Sequence, residues 1–267
     1  MIRFYTLPPS GVEWPYLLVN PRNYKVLFKR RFKHAILDSG VEMFKDPNLR
    51  DYPKSFLRSW KHKARNLTEV FGDKLWVTIP DYPDDLAHQF GHENVDKTLR
   101  NVEEFIAFDG VNWLVPIQSQ YLNTFSFIES CQRTKELIGN YPRIAIGTVC
   151  KTNKINFIKF CCEVARKTFP NSWIHGFGMT LKALPRVYKY INSWDSLVPE
   201  CGRTKWRYWL LENVNYSTLE QDLNDRQRFF YAYIRRIEEI LKNLNLQREF
   251  KVEGDSENKS IFFVLGG

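Results

Sequence analysis

Short continuous apolar runs, each ending in a polar residue or a glycine, recur along the chain and predict β-strands. Runs without polar alternation are typical of strands that are buried on both faces, as in a parallel sheet. Between these runs, apolar residues recur at helical spacing. The strands are predicted at 16–19, 35–37, 75–80, 113–117, 144–146, 173–174 and 190–194, and the helices at 94–108, 122–137, 154–168 and 181–190.

The alternation of strand and helix at intervals of about 30 residues indicates right-handed βαβ units and a parallel sheet, and therefore the α/β class. Seven or eight such units fit a (β/α)8 TIM barrel, which needs about 250 residues. An open doubly wound sheet is the competing architecture, although no Gly-x-Gly-x-x-Gly follows an early strand. We predict one barrel domain over residues 1–267, with its core at about 10–215 and a C-terminal helix and tail at 216–267.

The C-terminal part of the chain shows one long amphipathic pattern, which predicts a helix over 218–244. Ser217 or Thr218 would cap it, with Glu220 in the first turn. Its apolar face packs on the barrel or mediates dimerisation. The final apolar run, "IFFVL", is either an edge strand or the eighth barrel strand.

Polar residues and glycines follow the predicted strands, where a TIM barrel carries its catalytic groups. In a barrel these positions converge on one pocket. Carboxylates accept hydrogen bonds from N–H groups, a glutamine amide can donate to a carbonyl, and glycine allows the backbone to approach a flat ring closely. The candidate residues are Asp38, Asp81, Gln118, Gly147, Thr148, His175, Gly176 and Asp195.

Each candidate also has a purely structural interpretation. Asp38 and Asp195 could be helix N-caps after strands, and Asp81 could belong to a plain loop together with Asp84 and Asp85. A lone histidine such as His175 more often makes a structural hydrogen bond than a substrate contact.

The charge balance favours a polyanionic partner. Lys and Arg total 39 against 30 Asp and Glu, which gives a net charge of +9. One cluster mixes cations with an aromatic side chain soon after Asp195, as phosphate-binding and base-stacking surfaces do. It consists of Arg203, Lys205, Trp206 and Arg207, and a solvated charged face is the alternative.

The cysteines do not form a metal or disulfide pattern. There are five, an odd number, and no two form a Cys-x-x-Cys pair. We therefore expect no metal ion and no cofactor. The N-terminus has no signal-peptide pattern, and no apolar run approaches the roughly 20 residues of a membrane span, so we expect an intracellular, cytoplasmic protein, and the virus-encoded case stays open.

Six segments in this order resemble the tRNA-guanine transglycosylase superfamily, and most closely its DpdA-type branch of 7-deazaguanine DNA transglycosylases. The resemblance covers roughly residues 16–200. The segments are "DSGVEMF", "VTIPDYPDD", "VPIQSQ", "IAIGTVC", "IHGFGMT" and "SWDSLVP".

This resemblance implies an enzyme that exchanges guanine in a polynucleotide for a 7-deazaguanine base through a covalent aspartyl-glycosyl intermediate. Asp195 would be the nucleophile and Asp38 the carboxylate that handles the proton of the base. Asp81, Gln118 and the backbone beside Gly147 would contact the base. The implied partners are DNA or, as the second choice, tRNA, the deazapurine as small-molecule substrate, and a helper protein or a second copy of the chain.

The chain also departs from that family. No cysteine after Cys201 could complete the zinc site of the tRNA enzymes, and the family's "DSGG" is "DSGV" here. Three alternatives therefore stay open: a zinc-free tRNA-guanine transglycosylase relative (queuine tRNA-ribosyltransferase-like), a catalytically inactive nucleic-acid-binding barrel, and an unrelated barrel hydrolase that uses two carboxylates.

Overall fold

The protein is a (β/α)8 TIM barrel, as the sequence predicted. A computed structural model describes residues 2–41, 44, 49–84, 93–150, 152–196, 198 and 223–244, and the backbone of two strands at 250–254 and 261–265. Eight parallel strands form one sheet. In chain order they are β1 (Arg3–Tyr5), β2 (Tyr16–Val19), β3 (His34–Leu37), β4 (Leu75–Thr78), β5 (Trp113–Ile117), β6 (Arg143–Ile146), β7 (Trp173–Gly176) and β8 (Ser193–Asp195).

The sheet closes on itself through β1. β1 pairs with β8 in parallel, with Tyr5 opposite Asp195. On its other side, Thr6 forms a parallel bridge to Leu17 of β2. The closed sheet excludes the doubly wound alternative. β1 also precedes residue 10, the approximate start of the predicted barrel core, and the domain division itself stays a prediction.

Six α-helices lie in the described residues. The predicted helices match α2 (Glu93–Ile106), α3 (Thr124–Ile138) and α4 (Ile155–Thr168), whereas the fourth is a 3-10 turn followed by the short α5 (Leu184–Val187). α1 (Lys54–Phe71) is not among the predicted helices, although its buried stripe of Trp60, Ala64 and Leu67 has helical spacing. The sixth helix, α6, spans Asp225–Asn243.

α6 packs against the barrel rather than leaving its apolar face open. The Phe230 ring meets Trp14 at 5.6 Å, and the Tyr233 ring meets Phe4 of β1 at 5.7 Å between centroids. Its N-cap is Asn224, which forms a capping box with Gln227. The predicted caps, Ser217 and Thr218, lie outside the described residues, and the described helix starts later than predicted.

The last apolar run is not the eighth barrel strand. Ile261–Leu265 (β10) pairs antiparallel with Phe250–Gly254 (β9) in a separate two-stranded sheet. β1 supplies the eighth strand instead. Across the described part of the chain, no helix is long and apolar enough to cross a membrane.

Candidate active site

The structure brings the strand-end candidates together at the C-terminal mouth of the barrel. Asp38 follows β3, Asp81 follows β4, and Asp195 is the last residue of β8 rather than the first residue beyond it. The charges of Asp81 and Asp195 both raise the pKa of the Asp38 carboxyl, so the three carboxylates lie near enough to interact. Gln118 directly follows β5, and Gly147 directly follows β6.

Asp81 is buried and receives two side-chain hydrogen bonds. Ser39 Oγ donates to Oδ1 at 3.1 Å, and Gln118 Nε2 donates to Oδ2 at 2.5 Å. Burial raises the pKa of Asp81 to about 6, and these two donors oppose that rise. Asp81 lies in the segment that follows β4, and its carboxylate is buried and hydrogen-bonded instead of facing solvent.

Gly147 makes the contact between Gln118 and Asp81 possible. A Cβ on Gly147 would lie 2.1 Å from Gln118 Nε2 and 3.2 Å from Asp81 Oδ2. Gln118 Oε1 is buried and has no hydrogen-bond partner among the described residues. Among the described residues, the amide thus uses its donor on Asp81 while its acceptor remains without a partner.

Asp38 differs from the other two carboxylates in that its hydrogen bonds among the described residues come from backbone groups. Its hydrogen-bond donors are the backbone N–H groups of Ser39 and Gly40. Although the residue keeps some exposed surface, burial raises the pKa of Asp38 to about 7, and the charges of Asp81 and Asp195 add to the rise. At neutral pH Asp38 can therefore either give or take a proton.

Asp195 is held by two N–H groups. His175 Nε2 lies 3.1 Å from Oδ1, and the backbone N–H of Gly178 donates to the same oxygen at 2.9 Å. These contacts come from β7 and the turn after it, so the neighbouring strand holds Asp195 in place. His175 is buried between Asp195 and Ser193, and its hydrogen bonds go to side chains.

The two remaining candidates lie beside this group. Thr148 Oγ1 is 2.7 Å from Ser119 Oγ, next to Gly147. Gly176 ends β7, and a Cβ there would meet Met179 Sδ at 3.5 Å, an ordinary contact. The functional roles of all these residues remain predictions.

Sequence reasoning missed several residues that shape the site. Ser39 holds Asp81, and Tyr52 donates to the Asp81 carbonyl at 3.1 Å. Tyr233 of α6 forms a hydrogen bond with Ser196. Burial raises the pKa of Tyr233 to about 12, and the nearby charge of Asp195 adds to the rise. Asp84 is more than a loop residue, because its Oδ2 accepts the Tyr121 N–H at 2.7 Å. Of these, only Ser39 had a sequence signal, since it directly follows Asp38.

The predicted nucleic-acid-binding cluster of Arg203, Lys205, Trp206 and Arg207 lies outside the described residues, as do Asp85 and Cys201. Within the described ranges, no group of three or more His, Cys, Asp or Glu side chains is arranged to hold a metal ion. Cys131, Cys161 and Cys162 are buried free thiols.

Comparison with known proteins yields solved structures only. No family model matches the chain, and no curated protein does. One similar solved structure is an HMG-CoA lyase from Brucella melitensis, at 11% identity and a TM-score of 0.36, covering 85% of this chain and 74% of that one. Another is a hydroxymethylglutaryl-CoA lyase from Pseudomonas aeruginosa, at 12% identity and a TM-score of 0.36, covering 89% and 72%.

These comparisons correct the family expected from the sequence. The similar solved structures are lyases of the barrel fold, and the expected membership in the tRNA-guanine transglycosylase superfamily is wrong. The expected guanine exchange, glycosyltransferase activity and DNA modification are wrong as well. The zinc-free tRNA relative and the inactive nucleic-acid-binding barrel gain no support either. The expected partners stay untested.

Gly147→Ala should destabilise the protein, because the new methyl group would push Gln118 away from Asp81 and leave a buried carboxylate without one of its donors. We expect a loss of about 2 kcal/mol in the free energy of unfolding by urea denaturation. Gly176→Ala is the matched control, since its methyl group would make only ordinary contacts. Equal stability of the two variants would show that the Gln118–Asp81 contact is not needed.

Asp38→Asn should change how stability depends on pH. A carboxyl whose pKa is raised to about 7 on folding stabilises the folded state below its unfolded pKa, and this stability is lost as the pH rises through about 7. The variant should therefore gain stability relative to the wild type between pH 5 and pH 8, by on the order of 2 kcal/mol. Urea denaturation at both pH values measures this, with exposed Asp73→Asn as the control. A gain that is the same at both pH values would contradict the placement of Asp38.

Proposed function

We propose that the chain is a hydrolase that uses Asp38 as general acid and base and Asp195 as the stabiliser of positive charge on the substrate. The observation that carries the proposal is the presence of two carboxylates at one barrel mouth in different surroundings. Asp38 has few donors and a pKa raised to about 7, whereas Asp195 is held by His175 and the Gly178 N–H. Two carboxylates that take different roles because their surroundings differ are typical of acid–base sites.

The proposed reaction follows from these two surroundings. Protonated Asp38 gives its proton to the leaving group as the bond to the reacting carbon breaks. The carboxylate of Asp195 stabilises the positive charge that develops on that carbon. A water molecule then adds to the carbon, and its proton returns to Asp38, so the side chain ends the cycle protonated as it began.

The lining of the site supports a substrate with hydrogen-bond donors. Gln118 Oε1 is a buried acceptor without a partner among the described residues, and a buried unpaired acceptor costs about 1–3 kcal/mol. A substrate N–H or O–H would remove that cost. The three carboxylates around the mouth favour a substrate that is neutral or cationic over one that is anionic.

A metabolite screen tests the function. The wild type, Asp38→Asn, Asp195→Asn and the control Asp73→Asn are each incubated with a cell extract of small molecules, and the mixtures are followed by mass spectrometry. The wild type and the control should convert at least one compound into products whose combined mass is higher by one water. Both site variants should do so at least about 100-fold more slowly.

Two results would contradict the proposal. One is conversion by the site variants at the wild-type rate. The other is a wild type that converts no compound in extracts where an added hydrolase of known activity works.

A further inference from the structure

A surface cavity of about 400 Å³ lies among the helices on the outside of the barrel. Its walls come from α4, from α5 and the residues just after it, and from Leu244 at the end of α6. The volume is within the range of cavities that bind small molecules, which is about 300–1,000 Å³. None of the lining residues belongs to the strand-end group at the barrel mouth. The cavity is therefore a separate candidate site.

Three cations line this cavity, and no carboxylate is among its lining residues. The cations are Lys159 of α4, Arg186 of α5, and Lys189 shortly after α5. Within the described part of the chain, none of the three forms an ion pair. We call this space the cationic cavity.

Nearby carboxylates are directed to other cations. Between residues 154 and 194, which supply most of the lining, Glu163 is the single acidic residue. Its Oε1 lies 3.2 Å from Lys167, and on α6 Glu239 lies 2.7 Å from Arg236. The lining cations therefore repel one another across a space about as wide as the Debye length at physiological salt, roughly 8 Å. A bound anion would remove that repulsion.

Neighbouring side chains fix two of these cations without neutralising them. Arg186 Nη1 donates to Asn156 Oδ1 at 3.1 Å, and both residues line the cavity. Lys189 Nζ lies 5.0 Å from the centroid of the Tyr190 ring. Side chains that are ordered before a ligand arrives lose less entropy when it binds. The Asn156 amide adds two N–H donors to the lining.

This lining matches a phosphate monoester better than a carboxylate. A phosphate monoester carries about −1.5 to −2 charges at neutral pH and has three acceptor oxygens, whereas a carboxylate carries a single charge. The guanidinium fork of Arg186 matches the spacing of phosphate oxygens. Pro185 and Leu244 add apolar surface to the same cavity, which favours a ligand with an apolar part.

We propose that the cationic cavity is a binding site for a small phosphate monoester that carries an apolar group. Lys159, Arg186 and Lys189 bind the phosphate group, and Pro185 and Leu244 contact the apolar part. The proposal goes beyond the hydrolysis proposed above and does not depend on it, because the two sites share no residue.

Isothermal titration calorimetry of the full-length protein at constant ionic strength tests the proposal with phenyl phosphate, benzoate and inorganic phosphate. Phenyl phosphate should bind at one site. It should bind more tightly than benzoate, which has the same ring and one charge, and more tightly than inorganic phosphate, which lacks the ring. Lys159→Gln and Lys189→Gln should each weaken the binding of phenyl phosphate about 10-fold, because each removes a charged hydrogen-bond donor.

Lys182→Gln is the matched control. Lys182 is exposed, as Lys189 is, and it lies in the 3-10 turn just before α5, but it does not line the cavity. The variant removes the same charge from the same region of the surface. Its binding of phenyl phosphate should stay within about twofold of the wild type, since salt screens charges outside the cavity.

Four results would overturn the proposal. The first is a wild type that shows no saturable binding of phenyl phosphate. The second is equal weakening in Lys182→Gln and Lys189→Gln, which would indicate a general effect of surface charge. The third is benzoate or inorganic phosphate binding as tightly as phenyl phosphate. The fourth is a single-stranded oligonucleotide that displaces phenyl phosphate at a much lower concentration, which would assign the cavity to a nucleic-acid backbone.

Discussion

The burial of three carboxylates at one barrel mouth is the constraint on which the rest of the site depends. A buried carboxylate is costly unless hydrogen bonds compensate it, and the chain supplies these donors unequally. Asp81 accepts hydrogen bonds from Gln118 and Ser39, and Asp195 accepts them from His175 and the Gly178 N–H. Among the described residues the donors to Asp38 are backbone N–H groups, and burial together with the charges of Asp81 and Asp195 raises its pKa to about 7. The unequal supply gives three carboxylates of the same chemistry different properties.

Glycines appear where the backbone must meet these carboxylates. Gly40 donates to Asp38 from a conformation with φ of +81°, and Gly178 donates to Asp195 with φ of +54°. Gly147 leaves the space in which Gln118 reaches Asp81. Side chains at the first two positions would be strained, and one at the third would displace a donor. These three glycines therefore allow hydrogen bonds to the carboxylates that a side chain at the same position would strain or block.

The sequence predicts the frame of the barrel because its strands are continuous apolar runs, and the strand-end rule then finds Asp38, Asp81 and Asp195. It misses β1, because three residues that include a charged Arg3 make no apolar run. In the fold, the guanidinium of Arg3 lies over the Trp173 ring. It also misses Ser193 and Tyr233, whose importance comes from contacts across strands and from a distant helix. Short motifs at strand ends suggested a family that the comparisons overturned, since many barrels place similar polar residues there.

The titration of the Asp38 carboxyl is the most direct test of this account, and carbon-13 NMR of the labelled side chain measures it without any substrate. The account predicts a midpoint near pH 7 in the wild type, and a lower midpoint in Asp195→Asn, because that variant removes one of the charges that oppose ionisation. A wild-type midpoint near the ordinary value of about 4, unmoved by Asp195→Asn, would contradict a shared carboxylate site at the barrel mouth.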